Sequence, residues 1–307
     1  LIRPDQGAKA ALFTLKQLEA FYVSATLGSF TDASRRLVMT QSTIAKRIGE
    51  LEAAVGAPLF LRLGKTLKLT EAGERLLPGA QEMMRLYERV SQTMAPGADV
   101  VGHIRIGATD LVGLTWLSAL IQTIKEQFPK VQVLPEIDGG VRLYERLGRN
   151  ELDIVIMPGP FAGPGFAMVP VGQISNAWMA SPSFQLPEGR LTAQQISDLP
   201  VIGQPSNSAL TLLYTNWFEE NGFALKNVLL CNSLGMVAKL TVNGLGISYL
   251  PAKHFQPQID AGELMVIDVT PTLPPVTYYA ITRRDPSPLE KNILQIIDQV
   301  QTFQPIG

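Results

Sequence analysis

The chain has 307 residues, 46% hydrophobic and 17% charged, with a formal net charge of −1. That length suits two or three domains with sizeable cores, and no apolar run reaches the roughly 18 residues that cross a bilayer, which argues against a membrane protein. The single cysteine, Cys231, cannot close an internal disulfide, and no export signal is apparent, so a cytoplasmic location is expected. Charge is uneven: residues 1–95 carry 13 Lys/Arg against 9 Asp/Glu, and the remainder carries 13 against 18. A basic front on an acidic body is expected where only the front touches a polyanion such as DNA.

Residues 1–13 show no period and read as a frayed tail. From Thr14, Leu15, Leu18, Phe21, Tyr22 and Ala25 define one helical face, which Gly28 ends. Thr31 is expected to cap a short second helix, and Thr40 a third running to about Val55. Two short helices around a tight turn make a helix-turn-helix. Pro58, Leu59 to Leu61, the turn Leu63-Gly64-Lys65 and the alternating Thr66 to Leu69 predict a β-hairpin, or wing. Thr70 then caps a helix to about Met94, with Leu76, Ala80, Met83, Tyr87, Val90 and Met94 at heptad-like spacing, which predicts a dimerisation seam. The resulting division is a winged helix-turn-helix at 14–70, a linker helix at 71–95 and a hinge at 96–103 that holds His103.

Beyond the hinge, strand and helix alternate. IRIGA (104–108), VQVLPEI (131–137) and DIVIM (153–157) are each strand-like, with helices from 109 to Phe128 and from about Val141. A second set follows, with VIGQ (201–204), a helix from about Ser208 to Asn221, VLLC (228–231), a helix from about Leu234 and GISYL (246–250). The last helix aligns Leu289, Ile293, Ile296, Ile297, Val300 and Phe303, and is expected to cover the first lobe. The fold class is therefore α/β, with a largely parallel sheet in each of two lobes: lobe I at about 104–171 and 277–307, lobe II at about 172–276. Cys231 reads as a small buried hydrophobe, and His254 as a surface or capping residue.

Residues 29–74 carry the most specific signal. Thr40-Gln41 opens the third helix, Ile48, Leu51 and Glu52 recur along it, and Gly56, Pro58-Leu59-Phe60, Arg62, Leu69-Thr70 and Ala72-Gly73 follow. The segment resembles the LysR-type transcriptional regulators throughout, and GLGISYLP (244–251) extends the resemblance, which covers nearly the whole chain from Thr14. It implies a DNA-binding regulator whose second part is a two-lobed, periplasmic-binding-protein-like effector domain. It also implies a tetramer built from dimers; the residues by themselves support only a dimer.

The recognition helix presents Gln41, Ser42 and Thr43, then Lys46 and Arg47, while Ile44, Ile48 and Leu51 recur at core spacing. Gln can pair with an adenine edge, and Lys46 or Arg47 can reach a guanine or a phosphate. Thr31 and Thr40 belong to the same candidate DNA face, and the resemblance places Arg62, Lys65 and Lys68 of the wing against the DNA backbone or minor groove. Ser42 and Ala45 stand where the family usually has Pro and Ser; Ala45 removes a hydroxyl that touches DNA in many relatives.

In a two-lobed α/β domain, ligands bind beyond the carboxyl ends of the strands. Thr109-Asp110 and Ser206-Asn207-Ser208 follow such ends, with Gly140, Val141 and Pro158 as further wall candidates. Thr109 matches the family's effector position. The hydroxyls of Thr109, Ser206 and Ser208 either coordinate an anion or simply cap helices, and Asp110 either repels an anion or caps a helix. A small organic anion, a carboxylate, is the expected effector, with Trp178, Phe161 and Met157 beside it. It would act by binding two packings of the lobes differently. No cofactor or metal is expected, since His103 and His254 cannot make a His-rich site, and GKT (64–66) lacks the Walker glycine, Leu59 standing in its place. No nucleophile elbow or other reactive constellation points to an enzyme, and a recognition helix does not fit an exported solute-binding protein.

Overall fold

The computed structural model describes residues 12–63, 66–94, 100–161 and 163–306, with the side chains of 62, 63, 88, 89 and 91–94 outside that description. The chain divides into two compact units, residues 1–94 and 95–307.

In the first unit α1 (Leu15–Leu27), α2 (Phe30–Arg36) and α3 (Gln41–Val55) precede the strands β1 (Phe60–Leu63) and β2 (Thr66–Leu69) and the long helix α4 (Glu71–Met94). Thr14 caps α1 in a capping box with Gln17, and Thr40 caps α3. Ser29, and not Thr31, caps α2: its backbone is extended and its side chain accepts from Asp32 N, whereas Thr31 already lies inside the helix. The turn between α2 and α3 places Val38 at φ 52, unusual for a β-branched residue. Leu18, Phe21, Leu51, Leu59 and Ala80 form the core, with Phe13, expected in the tail, packed against them. β1 and β2 pair antiparallel from Phe60↔Leu69 to Leu63↔Thr66; Gly64 and Lys65, part of the turn expected from the sequence, lie outside the described residues.

Glu52 and Gly73 fix the wing to the helices. Glu52 Oε1 accepts from Leu59 N at 2.7 Å, which ties the end of α3 to the entry of β1. A Cβ on Gly73 would lie 2.3 Å from the Leu59 carbonyl oxygen, so only glycine lets the first turn of α4 approach the wing this closely. Thr70 accepts from Gly73 N at 3.1 Å and donates to Pro58 O at 2.6 Å, capping α4 and closing the same corner.

The second unit begins with β3 (Gly102–Ala108), so Gly102 and His103 belong to a strand and not to a hinge. It continues through α5 (Asp110–Thr115), α6 (Leu117–Gln127), β4 (Val131–Ile137), α7 (Gly140–Gly148), β5 (Ile154–Pro158) and β6 (Phe166–Ile174). The helix expected from 109 to 128 is thus two helices, broken at buried Trp116. The chain crosses to the second lobe for β7 (Asn176–Ala180), β8 (Leu191–Thr192), α8 (Ala193–Asp198), β9 (Pro200–Gly203), α9 (Ala209–Glu220), β10 (Asn227–Leu230), α10 (Leu234–Val242), β11 (Ser248–Pro251), α11 (Gln256–Asp260), β12 (Met265–Val266) and β13 (Val269–Thr270). It returns in β14 (Val276–Arg283) and ends with α12 (Pro288–Val300).

The first lobe holds a five-stranded sheet in the order β4-β3-β5-β14-β6, parallel except for β14, the returning strand. Leu289, Ile293, Ile296 and Ile297 of α12 are buried in its core. The second lobe centres on Trp178, Ile196, Tyr214, Phe218 and Tyr249. Its parallel pair β9-β10 ends in an open edge, where Asn227 to Leu230 are all exposed, contrary to a buried apolar strand over 228–231. Only β9 pairs with β10, so both faces of this edge strand reach the surface and Cys231 is half-buried.

Candidate functional site

The first candidate surface is the outer side of α3. Ile44, Ile48 and Leu51 turn inward, whereas Gln41, Ser42, Lys46 and Gly49 are exposed. The helix start is organised by its own hydroxyls: Thr40 Oγ1 lies 2.8 Å from both Ser42 Oγ and Thr43 Oγ1, and it also accepts from Thr43 N. Gln41 donates its side-chain amide to Thr31 Oγ1, so Thr31 orients the glutamine instead of capping α2. One amide hydrogen and the carbonyl oxygen of Gln41 remain for a partner. Arg47 differs from Lys46, being half-buried with one guanidinium nitrogen enclosed and unpartnered, so it is not presented like its neighbour. Lys68 is exposed on β2; the side chain of Arg62, and all of Lys65, lie outside the described residues.

Helix α4 divides the expected seam into two parts. Leu76 and Ala80 pack into the core of their own unit, which accounts for them without a second chain. Met83, Leu86, Tyr87 and Val90 are each about half exposed (47–58%) and form an apolar stripe further along. The side chain of Met94 is outside the described residues.

The second candidate site is a polar cleft of about 470 Å³ between the lobes of the second unit. Lobe I contributes Thr109 and Asp110 from the start of α5 and Gly139, Gly140 and Arg142 from the start of α7; lobe II contributes Gln204 to Ser208 and Asn232. Ser206 is exposed in this cleft, and Pro158, at the end of β5, joins Thr109, Ser208 and Tyr278 in a small deeper recess. Neither Thr109 nor Ser208 spends its side chain on capping its helix. Ser208 donates to Gln204 Oε1 at 2.9 Å, whereas Thr109 Oγ1 is buried with no hydrogen-bond partner of good geometry.

Two contacts join the lobes across this cleft. Asp110 Oδ2 accepts from Leu234 N at 2.7 Å, so a carboxylate at the start of one lobe's α5 caps the other lobe's α10. At the mouth, Val141 N donates to Asn207 O at 3.1 Å, and a Cβ on Gly139 would lie 2.7 Å from that same carbonyl oxygen. Val141 therefore serves through its backbone, and glycine at 139 permits the approach. Asp138 accepts from Gly139 N at 2.7 Å, while Arg142 is two-thirds exposed and only 4.0 Å from Asp138.

Residues 15–74 match the family described as "Bacterial regulatory helix-turn-helix protein, lysR family", and residues 97–302 match "LysR substrate binding domain". The chain belongs to the LysR family of transcriptional regulators. It is 26% identical over 261 residues to the HTH-type transcriptional activator CmpR of Synechocystis sp., covering 83% of this chain and 84% of the relative. To the RuBisCO operon transcriptional regulator of Acidithiobacillus ferrooxidans it is 28% identical over 262 residues, with 83% of each chain covered. A full-length OxyR variant from Pseudomonas aeruginosa shares the fold with a TM-score of 0.73 at 19% identity, covering 95% of this chain and 99% of that one. These relatives regulate transcription and are not enzymes.

For this LysR-type regulator, the expected apolar wall is misplaced. Trp178 lies in the core of lobe II, and Phe161 and Met157 pack in a separate cluster with Leu143 and Tyr144. Asp138, Arg142, Gln204 and Asn232 line the cleft instead; sequence reasoning did not select them, because ordinary polar residues at helix starts and loop ends carry no signal of what they face. Asp110→Ala is expected to destabilise the effector domain by about 1 kcal/mol, the typical value of a helix cap, lowering Tm by a few degrees. Asp110→Asn retains an acceptor and is expected to keep most of that stability in the same thermal-unfolding measurement.

Proposed function

We propose that this regulator binds double-stranded DNA through Gln41, Ser42 and Lys46, supported by Thr31, Thr40, Thr43 and the wing residues Arg62, Lys65 and Lys68. The observation that carries the reading is the exposed face of α3, on which Gln41 is held by Thr31 while Lys46 projects one turn later. Gln41 reads a base edge in the major groove and Lys46 neutralises a phosphate. Arg47 contributes by supporting the helix from its half-buried position. The test is binding of fluorescent DNA from upstream of the regulator's own gene, against random DNA, across a salt series. Gln41→Ala is expected to lose roughly 1–3 kcal/mol at one base pair only, and Lys46→Ala to weaken all sequences alike and reduce the salt slope by about 1. Equal losses on specific and random DNA for Gln41→Ala would remove its reading role.

LysR regulators are oligomeric, and we propose that the exposed stripe Met83–Leu86–Tyr87–Val90 is the dimer seam here, continued by Met94. Leu76 and Ala80 anchor the helix to its own domain. Dimers assembling into a tetramer match the family resemblance, and a cytoplasmic setting suits a DNA-binding regulator; among the described residues no helix is long and apolar enough to cross a membrane. Glutamates at Met83 and Tyr87 together are expected to reduce the mass seen by light scattering and to abolish binding to a two-half-site operator, since one protomer reads one half-site. An unchanged mass would sink the seam.

The effector we propose is a small organic acid in the interlobe cleft. The helices α7 and α9, of nine and twelve residues, start at this cleft, Arg142 flanks it with a largely exposed guanidinium, and Thr109 lines it with its hydroxyl beside that of Tyr278. Asp110 and Asp138 both already accept backbone N–H groups, which limits the repulsion they exert on an anion. Solved relatives include LysG of Corynebacterium glutamicum with bound effector Arg, of the same fold (TM-score 0.59, 19% identical). Calorimetry with a panel of carboxylates, neutral isosteres and amines is expected to show carboxylates binding best, and Thr109→Val is expected to lose about tenfold in affinity, the value of one hydrogen bond. Preference for a neutral or cationic compound in this cleft, or undiminished binding to Thr109→Val, would overturn the assignment.

A further inference from the structure

Helix α9 starts at the polar cleft and borders a second recess along its length, from Leu210 to Glu220. This recess, of about 380 Å³, lies between α9, the crossing segment that precedes β14 and the loop that follows β5. Leu210 alone is shared between its lining and that of the small recess holding Thr109, so the two spaces meet only across one side chain. Its size falls within the range of small-molecule sites, and its walls come from both lobes.

The lining has a distinct chemistry. Four aromatic rings, those of Tyr214, Trp217, Tyr249 and Tyr279, face it with leucines and prolines, and its only charged side chain is Glu220. No lysine or arginine is present in the lining, and Glu220, exposed at the last turn of α9, forms no ion pair among the described residues. Tyr249 is 7% exposed, and its hydroxyl is enclosed without a hydrogen-bond partner. Burial pushes that phenol above its usual range, so it remains a neutral O–H.

The electrostatics all have the same sign. The carboxyl end of α9 carries the negative end of the helix dipole, Glu220 adds a full negative charge there, and aromatic faces attract cations. An anion would meet none of these favourably. An uncharged ligand would leave the carboxylate unused.

We propose that this recess is a second small-molecule site, taking an organic cation with a flat apolar body, its ammonium beside Glu220 and the Trp217 ring. The site is separate from the organic-acid cleft and does not depend on that assignment. Because α9 starts at the cleft and borders this recess along its length, and both lobes wall it, an occupant here would bind different lobe packings with different affinity and so supply an independent input to the regulator.

The test is calorimetry on the full-length protein with tryptamine, phenethylamine and tetraethylammonium, and with indole-3-propanoate as the charge-reversed partner of tryptamine. At least one cation is expected to bind with Kd below about 1 mM and indole-3-propanoate to bind at least roughly tenfold more weakly than tryptamine. Glu220→Gln is expected to weaken the cation about fivefold, on the scale of a partly exposed charge contact. Thr109→Val is expected to leave cation binding unchanged, which separates this site from the polar cleft. The proposal is overturned if no cation binds saturably, if indole-3-propanoate binds as tightly as tryptamine, if Glu220→Gln has no effect, or if Thr109→Val abolishes binding.

Discussion

The hydrogen bond from Leu234 N to Asp110 Oδ2 ties the two lobes of the effector domain together at the cleft. A helix start leaves backbone N–H groups that need acceptors, and here the acceptor for one lobe comes from the other. Opening the cleft at this point exposes a carboxylate and an amide to water, at modest cost; rotating the lobes out of register while they stay closed strands both, at a larger one. The bond between Val141 N and Asn207 O adds a second constraint at the mouth. Between them lies Thr109, its hydroxyl beside that of Tyr278, at the edge of a cleft whose width these two contacts set.

In the DNA-binding unit the corresponding constraint is the corner where α3, the wing and α4 meet. Leu59 is fully buried, its N–H goes to Glu52 and its carbonyl oxygen accepts from Thr70 N, and Gly73 lies against that oxygen. The apolar side of α3 is thereby committed to the interior, and Gln41, Ser42 and Lys46 are left outside by the helical period. The same helix that closes this corner, α4, changes partner partway along. Its first turns belong to the core, whereas further along Met83, Leu86, Tyr87 and Val90 are each about half exposed.

Helix α9 borders two spaces of different chemistry within one domain. Its amino end faces a cleft lined by hydroxyls, amides, one guanidinium and the carboxylates of Asp110 and Asp138, and its length borders a recess lined by aromatic rings with Glu220 at the last turn. The helix dipole adds partial positive charge at the amino end and partial negative charge at the carboxyl end, where Glu220 reinforces it.

The sequence by itself determined the winged helix-turn-helix and the two-lobed α/β plan, because both are written in local rules: Thr14 and Thr40 as caps, alternation at Thr66 to Leu69, and apolar spacing through α3 and α12. It also located Thr109, Asp110 and residues 206–208 at strand ends, where a cleft must form. Which acceptor serves which helix was decided only by tertiary structure. Ser29 displaced Thr31 as a cap, freeing Thr31 for Gln41, and Asp110 reached across to α10. Apolar character likewise did not determine burial: Val228 to Leu230 lie on an open edge, Trp178 fills the core of lobe II, and of one helical stripe Leu76 packs into the core while Met83 is half exposed. A residue's period fixes the direction in which it points from its own helix or strand, but what stands there is set by elements distant in sequence, whose arrangement depends on the whole packed core.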